Sequence, residues 1–239
     1  VYSNNASCGV FECPAWSSSG KYKGAYYFDG SDDHFNLADD VYNSVSQGTI
    51  SAWVKKDVGA SGFDSWFSLR GSELFELAVS GEDFEVWDGA NSYGGRQTTG
   101  DIVPNGVWNH LVFRVNSTGF SMFVNGVEEV SGSEHSFFSD FAVAGTEYEI
   151  GRTENYNTEA WPGYIDEIRV YNRSLSNDEI EILYMSNLRR YDVEDWEFYI
   201  NQSENATSGL VVGNYTIEAY GVDNHMKQNS TSERRIEIN

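Results

Sequence analysis

The feature that most constrains this chain is its rhythm. Short segments of alternating apolar and polar residues follow one another from residue 24 to residue 171, and the 239 residues contain only 3 prolines. The segments are GAYYFDG (24–30), GTISAWVKK (48–56), DSWFSLRG (64–71), ELFELAVSG (73–81), DFEVWDG (83–89), VWNHLVFRVN (107–116), SMFVNGVEEV (121–130), EYEIGR (147–152) and GYIDEIRVY (163–171). A period of two is the signature of strands with one buried face. Asn125-Gly126 is a strong two-residue hairpin signal. Many short, regularly spaced strands with almost no helix predict a two-layer antiparallel sandwich or jelly roll. One helix is expected: Ser176 and Glu179 form a capping box, Asp178 and Glu179 suit the positive end of the helix dipole, and Ile180, Leu183 and Tyr184 form an apolar stripe.

The composition shifts at LRRYDVED (188–195), which reads as a charged hinge between a domain at 1–188 and a small β segment at 189–239. The segment carries too little core for independent folding. No apolar run approaches the length of a membrane span. Fifteen Lys+Arg against 37 Asp+Glu give a formal charge of -22, which repels phosphate backbones and argues against nucleic acid as a partner. A salty medium, bound divalent cations or a plain acidic exterior would each suit that charge. The chain opens at Val1 rather than Met, which reads as a processed or excised piece.

Cys8 and Cys13 have no His or further Cys nearby to complete a zinc site, so a local disulfide is expected, and with it an oxidising compartment. Asn-x-Ser/Thr acceptors at Asn5, Asn116, Asn172, Asn201, Asn205, Asn214 and Asn229 point to the same extracellular, glycosylated surface.

GKYKGAYYFDGSDDHFNL, GTISAWVKK, WNHLVFRV, GFSMFVNG, IGRT and GYIDEIRVYNRSLSNDEI occur in that order. Together they make residues 1–188 resemble the laminin-G-like (concanavalin A-like) jelly-roll domains of secreted and cell-surface proteins. The tail resembles part of an immunoglobulin-like repeat. The fold so implied is all-β: a two-sheet antiparallel jelly-roll sandwich with one short C-terminal helix, plus a small immunoglobulin-like β segment. The resemblance also implies a structural calcium held by Asp29, the Gly30 carbonyl and Asp166, with further carbonyls or Asp32 and Asp33 completing the shell. By alternation Asp166 lies in line with Tyr164, Ile168 and Val170, where an ionised carboxylate needs a partner. That partner is either the cation or protein groups: backbone N–H donors or an arginine.

Catalysis is not expected. The Glu-x-Asp-x-Glu string of laminarinase-like relatives is absent; the nearest acids are Glu82, Asp83, Glu85, Asp88, Glu147 and Glu149, which read as solvated strand faces. Sugar recognition needs an aromatic platform with convergent polar groups. Tyr156, Asn157 and Trp161 in TENYNTEAWPG, and Tyr93 and Arg96 in NSYGGRQ, are the candidate contacts. Two functions follow. One is a non-catalytic extracellular recognition or adhesion module that binds a polysaccharide or surface glycoprotein. The alternative is a glycosylated structural subunit of a surface layer, sheath or filament, assembling through its C-terminal segment.

Overall fold

The computed structural model describes residues 6–9, 12–37, 42–89, 93, 95–153 and 159–185. It also describes strand backbone at 186–190, 196–200, 213–217, 220–222, 228–230 and 234–238. In chain order the first unit contains β1 (Ala15–Gly20), β2 (Lys23–Asp29), β3 (Phe35–Asn36), β4 (Gly48–Lys56), β5 (Phe63–Arg70), β6 (Leu74–Ser80), β7 (Asp83–Asp88) and β8 (Arg96–Gln97). These are followed by β9 (Asn109–Asn116), β10 (Gly119–Val124), β11 (Val127–Gly132), α1 (Phe138–Phe141), β12 (Glu147–Ile150), β13 (Pro162–Tyr171) and α2 (Asn177–Met185).

The strands form a jelly-roll sandwich of two antiparallel sheets, one seven-stranded in the order β1-β2-β13-β4-β9-β10-β11, the other six-stranded in the order β3-β12-β5-β6-β7-β8. Alternation sorts the inward side chains: Ile50, Ala52 and Val54 of β4 meet Phe75, Leu77 and Val79 of β6 in one continuous core. The expected C-terminal helix is α2, and its capping box closes as read: the Glu179 N–H donates to Ser176 Oγ (3.2 Å) and the Ser176 N–H to Glu179 Oε2 (2.8 Å). α1 was not foreseen. It is four residues long, below the reach of any helical periodicity, and Asp140 caps it by accepting from the Phe137 N–H at 2.8 Å.

The plain alternation read into GYIDEIRVY fails at one residue. Asp166 opposes Trp53 and Arg169 opposes Ser51, so β13 spends three residues where β4 spends two. Glu167 absorbs the extra residue at φ 50°. The bulge reverses the faces. Tyr164 and Asp166 point away from the core, with Lys55 and Trp53, whereas Val170 opposes the core residue Ile50.

One cation lies inside the sandwich. Lys56 ends the inward row of β4 at 2% exposure, and its Nζ donates to the carbonyls of Gly62 (3.0 Å), Val79 (3.1 Å) and Gly81 (3.1 Å). The Asp64 carboxylate lies 2.7 Å away. The ammonium thus ties β4 of one sheet to the β5 and β6 ends of the other.

Residues Met185–Asn239 form a second compact unit. It contains three two-stranded antiparallel ladders, Ser186–Arg190 with Trp196–Ile200, Gly213–Ile217 with Arg234–Ile238, and Tyr220–Val222 with Gln228–Ser230. An immunoglobulin-like arrangement is not assembled from these described segments.

Candidate functional site

The outward face of the six-stranded sheet carries a groove of about 450 Å³ lined by Phe63, Leu74, Glu76, Glu85, Trp87 and Glu159. Strand register explains the gathering. Glu76 of β6 lies directly opposite Trp87 of β7, and Glu85 lies two residues back on the same face of β7, opposite Ala78. Glu159 arrives on the segment after residue 158, where its carbonyl accepts from the Ser65 N–H at 2.8 Å. Trp87 leaves 37% of its surface in solvent, an unusual exposure for an indole in mid-strand.

Glu76 is the electrostatic centre of the groove. Its side chain is 2% exposed and accepts a hydrogen bond from the Thr153 hydroxyl. Burial pushes its carboxyl up to about 7; the Thr153 bond opposes this, and the nearby Glu159 and Glu85 carboxylates reinforce it. Burial raises Glu85 and Glu159 as well. A carboxyl raised on folding binds its proton more tightly in the native than in the unfolded state. It therefore costs stability progressively as pH climbs from its ordinary 4.5 through its folded value of about 7. Glu76→Gln is expected to gain about 2–3 kcal/mol on the parent chain between pH 4.5 and 8. Urea unfolding of both chains at pH 5 and pH 8 measures it; a pH-independent difference would contradict the assignment.

Three of the expected ligand contacts lie elsewhere. Trp161 is 0% exposed and Tyr93 is 1% exposed, so both are core residues rather than rim platforms. Trp161 is held by its backbone N–H donating to the Gly151 carbonyl at 2.8 Å, and Tyr93 packs edge-on to Phe75, Phe113 and Phe120. Loop position in the sequence misled here, because both side chains are enclosed in the core. Arg96 is exposed but opposes Val86, away from the groove, and pairs with Glu134 at 2.8 Å. Tyr156 and Asn157 lie outside the described residues. Trp87 and Glu76, which dominate the groove, are not among the contacts that the sequence suggests. The i, i+2 pair Glu85–Trp87 was the available signal, but only cross-strand register adds Glu76.

The expected metal set also divides. Asp29 opposes Pro162, and Asp166 lies four residues further along β13, roughly 13 Å away at strand rise. One ion cannot be shared by both. Asp166 is answered by protein: its carboxylate accepts the Tyr22 N–H at 3.0 Å and the Glu167 N–H at 2.8 Å. Burial pushes it up to about 6, against those hydrogen bonds. At the FDG turn, however, Asp29, Asp32 and Asp33 bring carboxylate oxygens within 4.8 Å of one another. Gly30 sits among them at φ 76°, and Asp33 Oδ2 accepts from the Asp29 N–H at 3.0 Å. Three carboxylates this close fit the hard-oxygen shell that calcium takes.

Cys8 and Cys13 are joined in a disulfide. Of the acceptor asparagines, Asn172 is exposed, whereas Asn116 is half-buried and its side-chain oxygen accepts from the Thr118 N–H at 2.8 Å. Asn5, Asn201 and Asn205 lie outside the described residues, and the side chains of Asn214 and Asn229 are not among those described.

Residues 29–181 match the model of the concanavalin A-like lectin/glucanases superfamily. Among solved structures, domain 4 of an extracellular arabinanase from Geobacillus stearothermophilus, in complex with arabinotriose, is 25% identical. The likeness covers 72% of this chain and 81% of that one at a TM-score of 0.58. The CBM40 of the Ruminococcus gnavus IT-sialidase, bound to α2,3-sialyllactose, shares the fold at 18% identity, covering 67% and 96% with a TM-score of 0.55. Comparison with curated proteins gives no match.

Proposed function

The chain belongs to the concanavalin A-like lectin/glucanase superfamily, and from that premise we propose that it is a non-catalytic, extracellular module that holds a polysaccharide in the groove of the six-stranded sheet. The observation that carries this reading is the exposed Trp87 face flanked by the Glu76, Glu85 and Glu159 carboxylates. An indole offers a flat apolar surface to a sugar ring, and carboxylates accept its hydroxyls. The arabinanase domain in complex with arabinotriose supports a carbohydrate ligand, and the Cys8–Cys13 bridge supports a secreted or surface location. Glu76, nearly enclosed and held by Thr153, suits fixed hydrogen bonding better than proton delivery to a substrate.

A broad glycan array is the test. The expected result is saturable retention on at least one polysaccharide without release of reducing ends. A blank array would defeat the reading and favour the structural-subunit alternative; released reducing ends would defeat its non-catalytic part.

The calcium belongs to the same proposal, held by Asp29, Asp32 and Asp33 with the Gly30 carbonyl. A native-state ligand raises the melting temperature. Millimolar calcium is expected to raise it by several degrees in the parent chain, and Asp29→Asn/Asp33→Asn to remove that rise, whereas Asp166→Asn keeps it. Calorimetry with and without EDTA decides the matter, and an EDTA-insensitive melt would exclude the ion.

A further inference from the structure

We propose that the groove selects sugars bearing free amino groups, of the glucosamine type, and rejects anionic sugars. This rests on the reading that the groove binds carbohydrate and specifies which kind. Three of its six lining residues are carboxylates and none is basic. Among the described residues, Arg70 of β5 opposes the lining residue Leu74 but is not itself part of the lining, and its neighbour on the other ladder is Glu147. Arg152 donates through Nε and Nη2 to Glu149 Oε1, each at 3.1 Å, and Arg96 lies on the other side of β8, paired with Glu134. Sheet register sets the acids around the indole: Glu76 is directly across from Trp87, Glu85 is two residues along the same face, and Gln97 opposes Glu85 as a neutral neighbour.

That arrangement has a definite charge preference. A sugar carboxylate or sulfate would add a further negative charge to a groove with no cation in its lining, on a chain of formal charge -22. An ammonium group would instead gain charge-assisted hydrogen bonds from Glu85 and Glu159 and attraction from the indole face, while Glu76 keeps its proton in mildly acidic solution. The aromatic surface recognises the ring; the acids around it decide the substituent. Gly95 keeps the rim low, since a Cβ there would lie 3.4 Å from Glu85 Oε1 and 4.0 Å from Trp87 Cδ1.

The experiment titrates the full chain calorimetrically with glucosamine hexamer, N-acetylglucosamine hexamer and sialyllactose at pH 6. The expected result is glucosamine hexamer binding at least about tenfold tighter than its acetylated counterpart, no binding of sialyllactose, and loss of the preference in Glu85→Gln/Glu159→Gln. Trp87→Ala must weaken the glucosamine binding at least about tenfold. Undiminished binding in Trp87→Ala, matched by hexalysine, would mean unspecific charge attraction and overturn the proposal. Equal or tighter binding of the acetylated or sialylated sugar would also overturn it while leaving the carbohydrate reading intact. If these sugars fail and no glycan on the array binds either, the carbohydrate reading itself falls.

Discussion

Lys56→Met is expected to destabilise the sandwich by about 3–5 kcal/mol, seen as a fall in the urea midpoint of the full chain. Methionine fills much the same space, so the loss is electrostatic rather than a matter of volume. Removing the ammonium leaves the Asp64 carboxylate 6% exposed without its counter-charge and withdraws the shared donor from the carbonyls of Gly62, Val79 and Gly81. Burial already raises Asp64, with Lys56 holding it down, so loss of the lysine drives the carboxyl toward its protonated form. The double variant Lys56→Met/Asp64→Leu should recover much of the loss, because an apolar pair removes both desolvated charges together. A single variant within about 1 kcal/mol of the parent would show that the buried ion pair does not hold the sheets.

Trp87→Ala is expected to weaken polysaccharide binding tenfold or more while leaving the melting temperature within a degree or two. Tryptophans at the centre of a contact commonly carry ~2 kcal/mol or more of binding free energy, and this one is already 37% exposed before any ligand arrives. Trp161→Ala provides the contrast. With 0% exposure it should lose several kcal/mol of stability, about 3–5 for a large aromatic cut to alanine. Affinity electrophoresis with thermal melts separates the two outcomes. Unchanged binding in a folded Trp87→Ala chain would move the site off the six-stranded sheet.

The strands, the hairpin at Asn125-Gly126 and helix α2 were legible because each is written in neighbouring residues: a period of two, a turn dipeptide, and a cap three residues from its partner. β1, with the sequence AWSSSG, escaped notice because serines hide the alternation and only pairing with β2 defines it. The disulfide was legible from spacing and from the lack of other ligands. The functional residues were harder. Tyr93 and Trp161 had loop sequence and core positions, and Asp166 was assigned to the wrong face because one residue, Glu167, enters the left-handed region and shifts everything after it.

What the sequence determined by itself was the layered β architecture, since alternation fixes which side of each strand must leave water. Only the tertiary structure decided which acids meet: register set Glu76 beside Trp87, sheet-to-sheet packing enclosed Lys56 with Asp64, and the pairing of β2 with β13 set Asp29 opposite Pro162, four residues from Asp166. The physical reason is that alternation is a local property of one strand, whereas the neighbour across a ladder depends on pairing between distant segments. One inserted residue exchanges the two faces without changing the composition at all.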